Sequence, residues 1–177
     1  MSARVSDTTK ELVEAHLDAG NAVQFTVPTW SMSPFLTPED RIIVKTVRAA
    51  ELAVGDLVVQ KLGTSNDAPS AWIVHRLIEK QTTRDGMCLV TKGDNAPVAD
   101  EPWSETALSG RVVTLRKNGS GRIIDLTTRR ARFLARLLAF FSRLQSRAYH
   151  QWGGFAGRMV GRTNRLIGYV CIFWLSK

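Results

Sequence analysis

Short apolar runs, rich in β-branched residues and cut by Pro, Gly and Asp, fill the middle of the chain at 22 to 27, 41 to 47, 56 to 62, 71 to 79, 87 to 91, 111 to 116 and 123 to 126. Runs of that length and composition predict strands. Seven of them with no helical period between predict a mainly β, compact antiparallel fold. The stretch 63 to 70, rich in Ser, Asn, Asp and Pro, predicts a hairpin loop. Helical periods flank this block on both sides. Residues 6 to 20 predict a short helix: Ser6 and Asp7 can cap it, Leu12, Val13, His16 and Leu17 form its apolar stripe, and Gly20 ends it. His16 is expected to pack there rather than to act as a base. Residues 127 to 151 predict a second helix, with Arg129, Arg132, Arg136, Arg143 and Arg147 in one sector and Leu134, Leu137, Leu138 and Phe141 opposite. The run 166 to 175 is apolar but too short to span a bilayer. The expected organisation is an N-terminal amphipathic helix (1–21), a β domain (22–126) and a basic amphipathic helical tail (127–177).

Charge sharpens that division. Residues 1 to 110 hold 10 Lys and Arg against 15 Asp and Glu, whereas residues 111 to 177 hold 14 against one, so the overall +8 belongs to the tail. A basic tail suits nucleic acid or an anionic membrane surface. The broad Leu and Phe face opposite the arginines selects the membrane, and no nucleic-acid partner is expected. Near the N-terminus, Glu11, Glu14 and Asp18 interrupt any apolar stretch of signal length. Neither a cleavable signal peptide nor an N-terminal anchor is expected. The tail would therefore hold the protein peripherally on the cytoplasmic face of a membrane, with a free cytoplasmic protein as the alternative. Cys88 and Cys171 make no disulfide framework. Neither metal-ligand Cys and His spacing nor a Gly-rich phosphate loop occurs, so no cofactor is expected.

Candidate chemistry begins at Pro28-Thr29-Trp30-Ser31-Met32-Ser33-Pro34, where a serine flanked by backbone-restricting prolines can stand at the rim of a sheet. Three further elements follow in order: Gly55-Asp56-Leu57-Val58-Val59, Ile73-Val74-His75-Arg76, and Thr91-Lys92-Gly93-Asp94-Asn95. Taken singly, Ser31 fits an ordinary turn and His75 an ordinary strand histidine. Taken together and in this order, over roughly residues 25 to 113, the four elements resemble the signal peptidase I family. The His-Arg pair makes the endoplasmic-reticulum and archaeal type the nearest, because bacterial members usually carry Lys at the position of His75.

The resemblance implies the antiparallel β fold that signal peptidases share with LexA-like proteins, and a serine endopeptidase acting on leader or signal segments of precursor peptides. It implies Ser31 as nucleophile and His75 as general base, matches Asp94 to the aspartate of the Lys-Gly-Asp-Asn motif, and matches Asp100 to the second aspartate that completes the triad. The chemistry is consistent: an imidazole titrating near neutrality suits proton removal from a hydroxyl, and a carboxylate behind it fixes the tautomer. Asp100 is preferred for that role. Asp94, inside the turn-like Gly93-Asp94-Asn95, is expected to shape the loop or pair with a cation. The Ser31 amide and the Thr29 hydroxyl are the expected oxyanion donors. Lys45, in the strand nearest Ser31, and Lys61, at a strand end, are weaker candidates for the base.

The chain departs from the family in having the acidic helix 6 to 20 where a membrane-spanning helix normally precedes the serine. Two other readings use the same residues. A LexA-like self-cleaving regulator would share the β fold, but no helix-turn-helix precedes residue 25. A catalytically inactive binding module would use only the tail.

Overall fold

The computed structural model describes residues 7–63 and 71–175, with side chains described at 12–63, 71–151 and 166–175. In chain order the elements are α1 (Asp7–Asp18), β1 (Val23–Thr26), β2 (Arg41–Lys45), β3 (Leu57–Leu62), β4 (Ala71–Thr83), β5 (Gly86–Lys92), β6 (Trp103–Ser104), β7 (Leu108–Arg116), β8 (Ile123–Asp125) and α2 (Arg129–Leu175). The strands form one sheet in the order β1-β2-β7-β3-β4-β5-β6, with β8 paired to β7, and every pairing is antiparallel. Each of the seven predicted strands is found, with its ends moved by a few residues. The strand β6 was not expected, because two residues are too few to show an alternating pattern. The predicted hairpin is also found: β3 and β4 pair with Leu62 opposite Ala71, although 64–70 lie outside the described residues.

Alternation along the strands builds two apolar layers. Ile42 and Val44 of β2, Leu57 and Val59 of β3, and Val112 and Leu115 of β7 form one layer with Leu17, Met32, Phe35, Leu36, Leu138 and Cys171. On the other side, Val58, Leu77, Leu89 and Trp103 close over Ala49 and Leu52. The same alternation separates two neighbours in sequence. His75 stands opposite Val58, while Arg76 stands opposite Leu57 and Lys92, so the two side chains leave the sheet on opposite faces.

The first helix differs from expectation in which residues it buries. Among the described side chains of α1 only Leu17 is fully buried; Leu12 is exposed. His16 is not a packing residue: it is exposed, with Nδ1 2.9 Å from the Leu12 carbonyl oxygen. The predicted helix 127 to 151 and the apolar run 166 to 175 are parts of one helix, α2. Its expected apolar face lies against the sheet, where Leu138 is 1% exposed and Ala131 and Ala139 are buried beside it. Leu134, Leu137 and Phe141 are half-buried. The outward side carries exposed Phe133, Phe140 and Leu144 among exposed Arg129, Arg132, Arg136 and Arg147.

Gly55 permits the close approach of helix and sheet. Its φ is +105°, and a Cβ there would lie 2.6 Å from the backbone of Ala135. A straight helix would carry Cys171 about 50 Å past Leu138. Both belong to one apolar layer, so α2 does not run straight from one to the other.

Candidate active site

Ser31 opens the turn that follows β1, a segment held by bonds from Ser33 N to the Trp30 carbonyl (3.0 Å) and from Leu36 N to the Met32 carbonyl (2.9 Å). Met32, Pro34, Phe35 and Leu36 are buried beneath it, so the apolar half of the motif anchors the turn and leaves Ser31 and Trp30 at the surface. The Ser31 backbone is tied to the loop after β5, where Asn95 N donates to the Ser31 carbonyl at 2.9 Å and Asn95 Nδ2 to the Trp30 carbonyl at 3.3 Å. Gly93 lies between Ser31 and His75. A Cβ on Gly93 would be 2.7 Å from the Ser31 carbonyl oxygen and 3.2 Å from His75 Nε2, which gives the glycine of the Lys-Gly-Asp-Asn motif a steric reason.

His75, mostly buried, places Nδ1 2.6 Å from Asp100 Oδ2. The same oxygen accepts from Thr91 Oγ1 at 2.7 Å, and Thr91 Oγ1 in turn accepts from the Trp103 indole at 3.1 Å. Asp100 N donates to the Thr91 carbonyl at 2.8 Å, which fixes the loop that carries the carboxylate. With Nδ1–H donating to Asp100, the lone pair of the imidazole is at Nε2, the nitrogen that faces Gly93. Of the two aspartates, Asp100 is thus the one bonded to His75. Thr91 and Trp103, which prepare that position, were not recognisable as site residues from sequence, because their roles depend on the pairing of β5 with β6.

Asp94 takes the other expected role. Its two oxygens accept from Arg76 Nε (2.8 Å) and Arg76 Nη2 (2.7 Å) in a buried bidentate pair. Arg76 Nη1 donates to the Gly55 carbonyl at 2.9 Å, and the guanidinium lies 4.9 Å from the Phe35 ring centre. One cation therefore joins three of the four motifs with the buried end of the Ser31 turn.

Thr29 Oγ1 lies 3.2 Å from Ser31 Oγ. Ser31 Oγ is thus hydrogen-bonded to Thr29 and not to His75. Nucleophile–base contacts often tighten only when substrate binds. Of the two alternative lysines, Lys45 is exposed, and Lys61 Nζ pairs with Glu14 Oε1 at 2.5 Å.

The cation that sequence reading missed is Lys92. It is fully buried, donating from Nζ to the Gly93 carbonyl (3.2 Å) and to Gln145 Oε1 of α2 (3.0 Å). Burial, assisted by the Arg76 charge and opposed by Asp94 and Asp100, pushes its ammonium down to about 8. Opposite Arg76, it stands on the face away from His75. A second bond from α2 reaches the same loop, from Ala99 N to Ser146 Oγ at 3.1 Å. Among the described residues no group of three or more His, Cys, Asp or Glu is gathered as metal ligands. No protein-family model, curated protein or solved structure matches this chain.

Proposed function

We propose that the protein is a serine endopeptidase of signal-peptidase type, cleaving a leader or signal segment from a precursor peptide on a signal-peptidase/LexA-like β fold. The observation that carries the reading is the Asp100–His75 bond, which leaves Nε2 of the imidazole beside the Ser31 turn. Catalysis requires Ser31 Oγ to leave Thr29 Oγ1 for His75 Nε2. Nε2 then takes the hydroxyl proton as Oγ bonds to the scissile carbonyl carbon, and Asp100 stabilises the imidazolium. The Ser31 amide, with the Thr29 hydroxyl as second donor, holds the oxyanion. Collapse breaks the peptide C–N bond, and the leaving amine takes the proton from Nε2. Water repeats the sequence to release the acyl group and restore Ser31.

Among the described residues no helix is long and apolar enough to cross a membrane. We place the protein peripherally on an anionic membrane, on the cytoplasmic side. The exposed Phe133, Phe140 and Leu144 beside the outward arginines of α2 support this.

The test is labelling by a fluorophosphonate or lipopeptide serine-hydrolase probe. The intact protein should be labelled, Ser31→Ala should not be, and His75→Ala should be labelled more slowly by orders of magnitude, about 10⁴-fold or more. Equal labelling of the intact protein and Ser31→Ala would remove Ser31 as nucleophile. Undiminished labelling of His75→Ala would remove the proposed base.

A further inference from the structure

Residues 166–175 of α2 have two distinct sides. The inner side closes on the Ser31 turn from behind. Gly168 lies so near Pro34 that a Cβ would be 2.8 Å from Pro34 Cγ. Cys171 is buried, and Ile167, Ile172 and Leu175 pack on the same apolar layer as Met32 and Phe35. The outer side presents Leu166, Tyr169, Val170, Phe173 and Trp174, each exposed over half or more of its surface. Their spacing of three, four, seven and eight residues from Leu166 makes a single helical stripe. Trp30, 62% exposed and adjacent to Ser31, belongs to the very turn that this segment backs.

Monomeric soluble proteins rarely leave so many large apolar side chains together in water, so the stripe has an occupant. Three observations select lipid. Tyr169 and Trp174 are residue types that settle at the level of headgroups. The segment is ten residues long, about 15 Å of helix, which can lie in a membrane surface but cannot cross it. The chain from 111 to 177 carries 14 basic residues against one acidic, complementary to anionic headgroups, whereas an apolar groove on a protein partner would leave that charge without a counterpart.

We propose that the Leu166–Trp174 stripe forms a lipid-docking surface that holds α2, and with it the Ser31 turn packed on its inner side, to an anionic membrane. The docking stands on exposure, spacing and charge. What it does for catalysis rests on the reading of Ser31 as nucleophile given above.

The test uses the full chain and keeps the two readings apart. Flotation with phosphatidylcholine–phosphatidylglycerol vesicles should carry the protein upward, and vesicles of phosphatidylcholine alone should carry less. Leu166→Ser combined with Trp174→Ser, both at exposed positions, should lower the vesicle-bound fraction by about tenfold or more at an unchanged melting temperature. Ser31→Ala should float like the parent, so loss of probe labelling and loss of flotation report on different claims. If the double variant melts early, brominated lipid decides alone: it should quench the parent's tryptophan emission, and Trp174→Phe should remove a large part of that quenching. Failure of the parent to float overturns the proposal. Flotation or quenching indifferent to these substitutions overturns it too, as does a dimer in solution that the double substitution splits, which would assign the stripe to a second copy.

Discussion

Asp94 and Asp100 stand six residues apart on one loop, and their surroundings separate their duties. Both oxygens of Asp94 meet Arg76 inside the protein. Removing one partner of such a pair leaves an uncompensated buried charge, a loss of about 3–5 kcal/mol. One oxygen of Asp100, a third exposed, serves His75 and Thr91 together. Its contribution to folding is correspondingly smaller. Asp100→Asn should therefore lower turnover by roughly 10⁴-fold with little change in melting temperature. Asp94→Asn should lower the melting temperature by roughly 6–20 °C, and turnover through that loss. Measuring both quantities on both variants tests the division, and matching profiles for the two would contradict it. The Lys-Gly-Asp-Asn motif already suggested these unlike roles, because an aspartate between Gly and Asn belongs to a turn. Which cation Asp94 would meet was not legible: Arg76 reaches it only because β4 and β5 pair with Arg76 opposite Lys92.

Elements were readable where their period was long enough to show. Seven strands and both helices follow from their apolar spacing, whereas β6, with two residues, left no pattern to find. The helix α2 was legible as an amphipathic helix but not as part of the site. Its buried side includes Ser142, Gln145 and Ser146, polar residues that a hydrophobic pattern assigns to solvent. Two of them bond the loop between Lys92 and Asp100. A tail that merely bound a membrane could be removed without harm to the β domain. This one cannot: Leu138 alone withdraws apolar surface equivalent to about 2–3 kcal/mol, and Ala131, Ala139 and Cys171 add to it. Truncation after Leu126 should lower the melting temperature by more than about 10 °C or abolish the cooperative transition, as followed by circular dichroism. A truncated chain that melts with the parent would show that α2 is dispensable to the fold.

For the molecule as a whole, Lys92 ties stability to pH. Its folded-state pKa is lowered to about 8 from an ordinary 10.5. Between those values the unfolded chain holds a proton that the native protein has released, so stability rises with pH across the window. Cys171, whose thiol is pushed up by burial, acts in the opposite sense above its ordinary value. Comparison with Lys92→Met cancels that effect, since Cys171 is common to both proteins. Urea unfolding at pH 7, 8, 9 and 10 should show the parent gaining on Lys92→Met as pH rises. Parallel pH profiles would mean that Lys92 does not titrate there. The bond from Lys92 to Gln145 also has a consequence in time. Its two ends are 53 residues apart, and a ribosome delivers Lys92, Gly93 and Asp100 well before Gln145. A nascent chain can pair its strands while the loop bearing Asp100 still lacks the acceptors supplied by α2. Completion of the candidate site is thus deferred until the helix has been synthesised and has docked, a delay between the pairing of the sheet and the closing of its loops.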